Sequence, residues 1–106
     1  MNTKVESFLN NTLSEVDNLT AGLDDMLDSG YYSKETTWII HQMLEKEKEI
    51  KNNIEATEDL ICEQDPDLQD DIDAYVYGIK KELKELRELA EERSQESEID
   101  LFGRRY

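Results

Sequence analysis

One spacing constrains this chain more than any other feature. Ile72, Val76, Ile79, Leu83, Leu86 and Ala90 recur at intervals of 4, 3, 4, 3 and 4 residues. Leu9, Leu13, Val16, Thr20, Leu23 and Leu27 repeat the same rhythm, with Phe8, Leu19 and Met26 widening the stripe. A third stretch carries Ile40, Met43, Ile50, Ile54, Thr57 and Ile61, and Glu47 fills its vacant heptad slot. Such spacing places apolar residues on one face of a helix, whereas a strand would alternate every second residue. One proline and four glycines leave long stretches without a helix breaker. The expectation is an all-α chain with three amphipathic helices over roughly residues 3–28, 34–63 and 66–93.

Local signals set the helix ends. Thr3 and Glu6 have the spacing of a capping box. Gly30 suits a C-terminal stop and Ser33 an N-cap. Asp65 can cap the third helix, Pro66 fits its first position, and Asp67 complements its dipole. The connection between the second and third helices is so short that it predicts a long antiparallel helical hairpin. The first helix can lie along that hairpin as a bundle, and sustained heptads equally permit a coiled-coil oligomer. Glu47 is expected either to snorkel at the seam edge or to act as a buried polar residue that fixes register. Gly78 weakens the third helix slightly, while Lys81–Glu85, Lys84–Glu88 and Arg87–Glu91 are spaced to support it. Residues 1–93 read as one helical domain and 94–106 as a flexible tail.

Charge narrows the partner classes. The chain has 27 acidic and 12 basic residues, a net charge of −15. Dividing it after residues 32 and 65 leaves −5 in each part. Direct nucleic-acid binding needs lysine and arginine on phosphates, and an anionic membrane surface would repel this chain. The longest strongly apolar run, "WII", is far too short for a bilayer span, and the N-terminus lacks the pattern of a secretory signal. Cys62 is the single cysteine, so no intrachain disulfide forms. A cytoplasmic protein is expected.

The stretch "CEQDPDLQDDIDAY" contains Asp65 and Asp67, but a calcium loop begun there would need glycine at Asp70 and glutamate at Val76. His41 is the only histidine and has no companion ligands of zinc spacing. Cys62 is expected to pack near the turn, out of helical reach of His41. No phosphate-cradling glycine loop is present. Hence no catalytic residue, metal or cofactor is expected. Asp67, Asp70, Asp71 and Asp73 form a helix start first and a candidate acidic docking patch second.

The C-terminal "SQESEIDLFGRRY" stands apart from the heptads. Within it, "EIDLF", residues 98–102, resembles the pentapeptide by which many bacterial and phage proteins dock on the DNA-polymerase sliding clamp. By position, Ile99 would stand for that motif's leucine, Asp100 for its polar residue, and Leu101 and Phe102 for its buried anchors. Glu98 stands where the motif has glutamine. "EIDLFG" is also similar to an acidic–aromatic segment in the exchange subunit of eukaryotic elongation factor one. The resemblance implies a sliding clamp as one candidate partner.

Together these features predict a non-enzymatic adaptor or regulator that binds a protein partner through helical faces and the acidic–aromatic tail. Its candidate anchors are Ile99, Leu101 and Phe102, then Tyr31, Tyr32 and Trp38 of "YYSKETTW"; these aromatics equally suit a core that closes the bundle end, and for Trp38 the core is the stronger expectation. Two other readings are open. One is a small acidic, phage-like inhibitor that mimics nucleic acid and blocks a basic cleft of a host protein. The other is a structural subunit of a larger, homo-oligomeric assembly.

Overall fold

A computed structural model describes residues 3–99. Its elements are α1 (Thr3–Thr20), α2 (Leu23–Ser29), α3 (Lys34–Glu63), a 3-10 turn (Pro66–Leu68) and α4 (Gln69–Glu98). The chain is all-α, with no strand among the described residues. No described helix is long and apolar enough to cross a membrane.

The bounds of α3 coincide with the expected 34–63 because both ends carry strong local chemistry. The Ser33 hydroxyl accepts the Thr36 N–H at 3.3 Å, capping the N-terminus. Gly30 sits just upstream in the left-handed region, φ 64°, and ends α2. At the far end Gln64 takes the same left-handed conformation, φ 54°, and its N–H donates to the Ile61 carbonyl. That residue is the only non-glycine with positive φ among those described. Asp65 then accepts the Asp67 N–H at 2.9 Å, with Pro66 at the first position of the 3-10 turn. The expected cap is present, but it opens this turn, and α4 follows from Gln69.

Two expected bounds change. The first helix is not continuous over 3–28, since Gly22 adopts φ 78° and breaks it after Thr20. The apolar rhythm runs unbroken through this point because Leu23, at the start of α2, is again buried. The last helix does not fade at residue 93 but continues to Glu98. Ser97 is buried, and its hydroxyl donates to the Ser94 carbonyl of the same helix at 3.1 Å.

The core is a seam between α3 and α4. Ile39, Ile40, Met43, Ile50 and Ile54 pack in one cluster with Ile79, Leu83 and Leu86. Across it Lys46 meets Glu85 and Asn53 meets Glu82, so numbers rise along α3 as they fall along α4. Helix α1 adds Leu9 and Val16, and α2 adds Leu23. Within α1 the buried face includes Thr12 and leaves Leu13 36% exposed, a shift from the expected Leu9–Leu13–Val16 stripe. Buried Thr12, Thr20, Thr36 and Thr57 act as β-branched fillers; the Thr57 hydroxyl donates to the Asn53 carbonyl one turn back. The Cα principal extents, 61 × 20 × 18 Å, are those of a rod.

The two left-handed positions give opposite expectations. Gly22→Ala should lower stability by about 1 kcal/mol, since a Cβ is strained at φ 78° even though it meets no neighbour. Gln64→Gly should raise it by about 0.5–1 kcal/mol. Urea denaturation followed by circular dichroism measures both; the same sign for the two would contradict this account of the turns.

Candidate interaction surfaces

At the corner between α3 and α4, the peptide dipoles explain much of the acidic composition. Asp70 and Asp71 lie in the first turn of α4, and Asp67 in the 3-10 turn before it, where free N–H groups favour negative charge. Asp67, Asp70, Asp71 and Asp73 are all exposed. Asp73 accepts a hydrogen bond from the Gln69 amide at 3.0 Å. Cys62, expected to pack here, is instead exposed. Among the described residues no group of three or more His, Cys, Asp and Glu side chains could hold a metal ion.

Tyr31, Tyr32 and Ile99 lie at the other end of the rod. Tyr31 is 58% exposed and meets half-buried Tyr32 edge-to-face, with ring centroids 5.4 Å apart. Ile99, directly after α4, is 42% exposed. Leu101 and Phe102 lie outside the described residues. Because α3 has 30 residues at a rise of roughly 1.5 Å each, about 45 Å separates this end from the aspartates. The sequence candidates therefore form two places, not one.

Trp38 corrects an expectation. It is 59% exposed, because its neighbours Ile39 and Ile40 take the seam positions. With Lys34, Glu35 and Ile39 of α3 and Glu92 and Glu96 of α4 it lines an open depression. A second depression, nearer the corner, is lined by Asn53, Leu60, Asp71, Ala74, Tyr75 and Gly78. Tyr75 and Tyr77 are exposed as well, Tyr77 at 73%. Neither tyrosine belongs to the heptad stripe of Ile72, Val76, Ile79, Leu83, Leu86 and Ala90. The signal for Tyr77 was its position one residue past heptad position Val76, which turns it outward.

Polar contacts tie the helices together. Arg87 of α4, spaced for Glu91, instead makes a two-pronged pair with Glu15 of α1, its Nη2 donating at 2.7 Å. That hydrogen bond holds the Glu15 carboxyl below its usual range and raises the guanidinium. Lys51 of α3 meets Asp17 of α1 at 3.1 Å and Glu47 at 3.4 Å, and the Asp17 contact first among them raises its ammonium. Lys80 of α4 stands 5.4 Å from the Phe8 ring centre. Glu47 itself, 22% exposed, receives the Thr20 hydroxyl at 2.7 Å. That hydroxyl has one proton and also lies 2.9 Å from the Val16 carbonyl. The shorter contact to the charged oxygen is the stronger, so the proton points to Glu47. Glu47 is thus a clamp to the end of α1.

On the other side of the seam, Lys46 reaches both Glu49 at 3.5 Å and Glu85 at 3.4 Å. Burial opposes its charge, but the two carboxylates outweigh burial and raise the ammonium. Glu82 accepts from the Asn53 amide through Oε1, while its Oε2 is shielded from solvent with no hydrogen-bond partner. Burial first, and then the neighbouring Glu49 carboxyl, push the Glu82 carboxyl up.

No known protein family matches this chain, and neither does any curated protein or solved structure.

The two carboxyls give opposite pH dependences. Glu82 has a raised folded value, so its contribution is present below the unfolded carboxylate value and is lost as pH rises through the folded one. Glu15 has a lowered value; its pairing supports the fold above the unfolded value and fails as pH drops through the folded one. Glu82→Gln should therefore stabilise the protein at pH 7 and lose that advantage towards pH 4. Melting temperatures of both proteins across this range check it; a larger gain at pH 4 would contradict the assignment.

Proposed function

We propose that this chain is a non-enzymatic protein-interaction module, an adaptor or regulator acting in the cytoplasm. In this reading α3 and α4 form an antiparallel hairpin with α1 along it, and the rod presents its faces to a protein partner. The observation that carries the reading is the exposure of Tyr31, Trp38, Tyr75 and Tyr77 on a rod about 20 Å thick. Large aromatic side chains left at a surface are the usual anchors of protein interfaces. Ile99 lies at the same end as Tyr31, Tyr32 and Trp38; Leu101 and Phe102 of the tail would add apolar anchors, and a sliding clamp is one partner that sequence would suit. The net charge of −15 would steer encounter with a basic partner.

The exposed aspartates of the corner favour a second reading, an acidic inhibitor that occupies a basic nucleic-acid-binding cleft. Lysines and arginines interleaved with the acids of α4 weigh against a uniform phosphate-like surface. Affinity purification followed by a salt series separates the two. An anchored adaptor should keep its partner when ionic strength rises several-fold, whereas a phosphate mimic should release it. Pairing Leu101→Ala with Phe102→Ala should weaken capture at least tenfold if the tail takes part. Unchanged capture after neutralising Asp67, Asp70, Asp71 and Asp73 together would leave those residues a structural role alone.

A further inference from the structure

The geometry points to the open side of the α3–α4 seam as the docking groove for a basic amphipathic helix of a partner protein. This deepens the interaction-module reading and rests on it. Helix α1 covers one side of the seam, touching Glu47 and Lys51 on α3 and Lys80 and Arg87 on α4. The opposite side has no such cover among the described residues. There Ile39, Lys46, Asn53 and Leu60 repeat at seven-residue intervals on α3, facing Asp71, Gly78, Glu85 and Glu92 on α4. Two parallel ridges at heptad spacing are what a further helix packs between.

The shape and charge of the strip select the occupant. From Ile39 to Leu60 it runs roughly 30 Å, the length of a helix of about 20 residues. Its floor is apolar near both ends, with Trp38 and Ile39 at one and Leu60 and Tyr75 at the other. A Cβ built on Gly78 meets nothing within 4 Å, so a notch for an approaching side chain is open there. Midway, Lys46 is already held by Glu49 and Glu85. Lys34 is the other base on these walls, against Glu35, Asp71, Glu85, Glu92 and Glu96 as acids, so the walls carry net negative charge. A second copy of this chain, carrying −15 itself, would set like charge against like, and so would nucleic acid or an anionic membrane. A helix with an apolar stripe for the floor and flanking lysines or arginines for the walls satisfies both features.

Trp38, the only tryptophan of the chain, stands in this groove and reports directly on its occupation. The full chain is titrated with a tryptophan-free, 18-residue leucine–lysine peptide whose leucines share one helical face. A peptide of identical composition, scrambled so that they do not, is the control. The expected result is a blue shift of Trp38 emission and at least tenfold tighter binding of the amphipathic peptide. Asp71→Asn with Glu92→Gln should weaken that binding at least threefold. Glu55→Gln with Asp59→Asn, the same charge change on exposed positions away from the groove, should leave it within twofold. Equal binding of the scrambled peptide, equal effects of the two double variants, or no binding at all would overturn the assignment. Amphipathic binding that spares Trp38 and ignores Asp71 and Glu92 would also overturn it, yet leave the interaction-module reading standing. That broader reading fails separately, if purification of the full chain retains no protein partner.

Discussion

Helices α3 and α4 each have one apolar stripe and otherwise face water, so neither is stable without the other. Their shared seam is the constraint on which the remaining structure depends. Fully burying an isoleucine or leucine side chain contributes about 1.5–3 kcal/mol, and the seam collects most of the buried ones. The seam in turn requires the chain to reverse within a few residues after Glu63. Gln64 does this at the cost of a left-handed conformation, and Asp65 and Pro66 restart the helix at once. Only when that pair exists is there a surface on which α1 and α2 can bury Leu9, Val16 and Leu23.

Electrostatics then distinguishes the two sides of the pair. Facing α1, acids and bases meet across helices: Glu15 with Arg87, Asp17 with Lys51. On the open side the acids outnumber the bases that could meet them, and Glu82 is left beside Glu49 with one oxygen unpartnered. Each surface pair contributes little by itself. Their distribution matters more, since it ties α1 to one side and leaves the other side acidic.

The legible parts of the fold were those written in adjacent residues. Ser33, Gly30, Asp65 and Pro66 mark their turns locally, and α3 has the bounds they imply. The break at Gly22 was hidden because Leu19, Thr20 and Leu23 keep the heptad rhythm across it; only the backbone torsion reveals it. The persistence of α4 past Arg93 was hidden for the opposite reason. Serines discourage a helix in sequence terms, yet Ser97 returns its hydroxyl to the helix's own carbonyl. Side-chain rotation was the least legible property. The seam needs Ile39 and Ile40, which leaves Trp38 outside; burial of Thr12 likewise leaves Leu13 at the surface. The candidate groove depends on such rotations, so its residues are recognisable only once the two helices are placed together.

Paired spin labels test the intrachain arrangement of α3 and α4 most directly. Cys62, exposed and free, is first replaced by serine so that introduced cysteines are labelled alone. Labels at Lys34 and Glu92 should lie within about 20 Å, since both residues line one depression. Labels at Lys34 and Asp71 should lie about 40 Å apart or more, because most of α3 separates them at roughly 1.5 Å per residue. Dilution with unlabelled chain should change neither distance. A long separation between Lys34 and Glu92, or a short one that vanishes on dilution, would mean that the seam forms between chains or not at all.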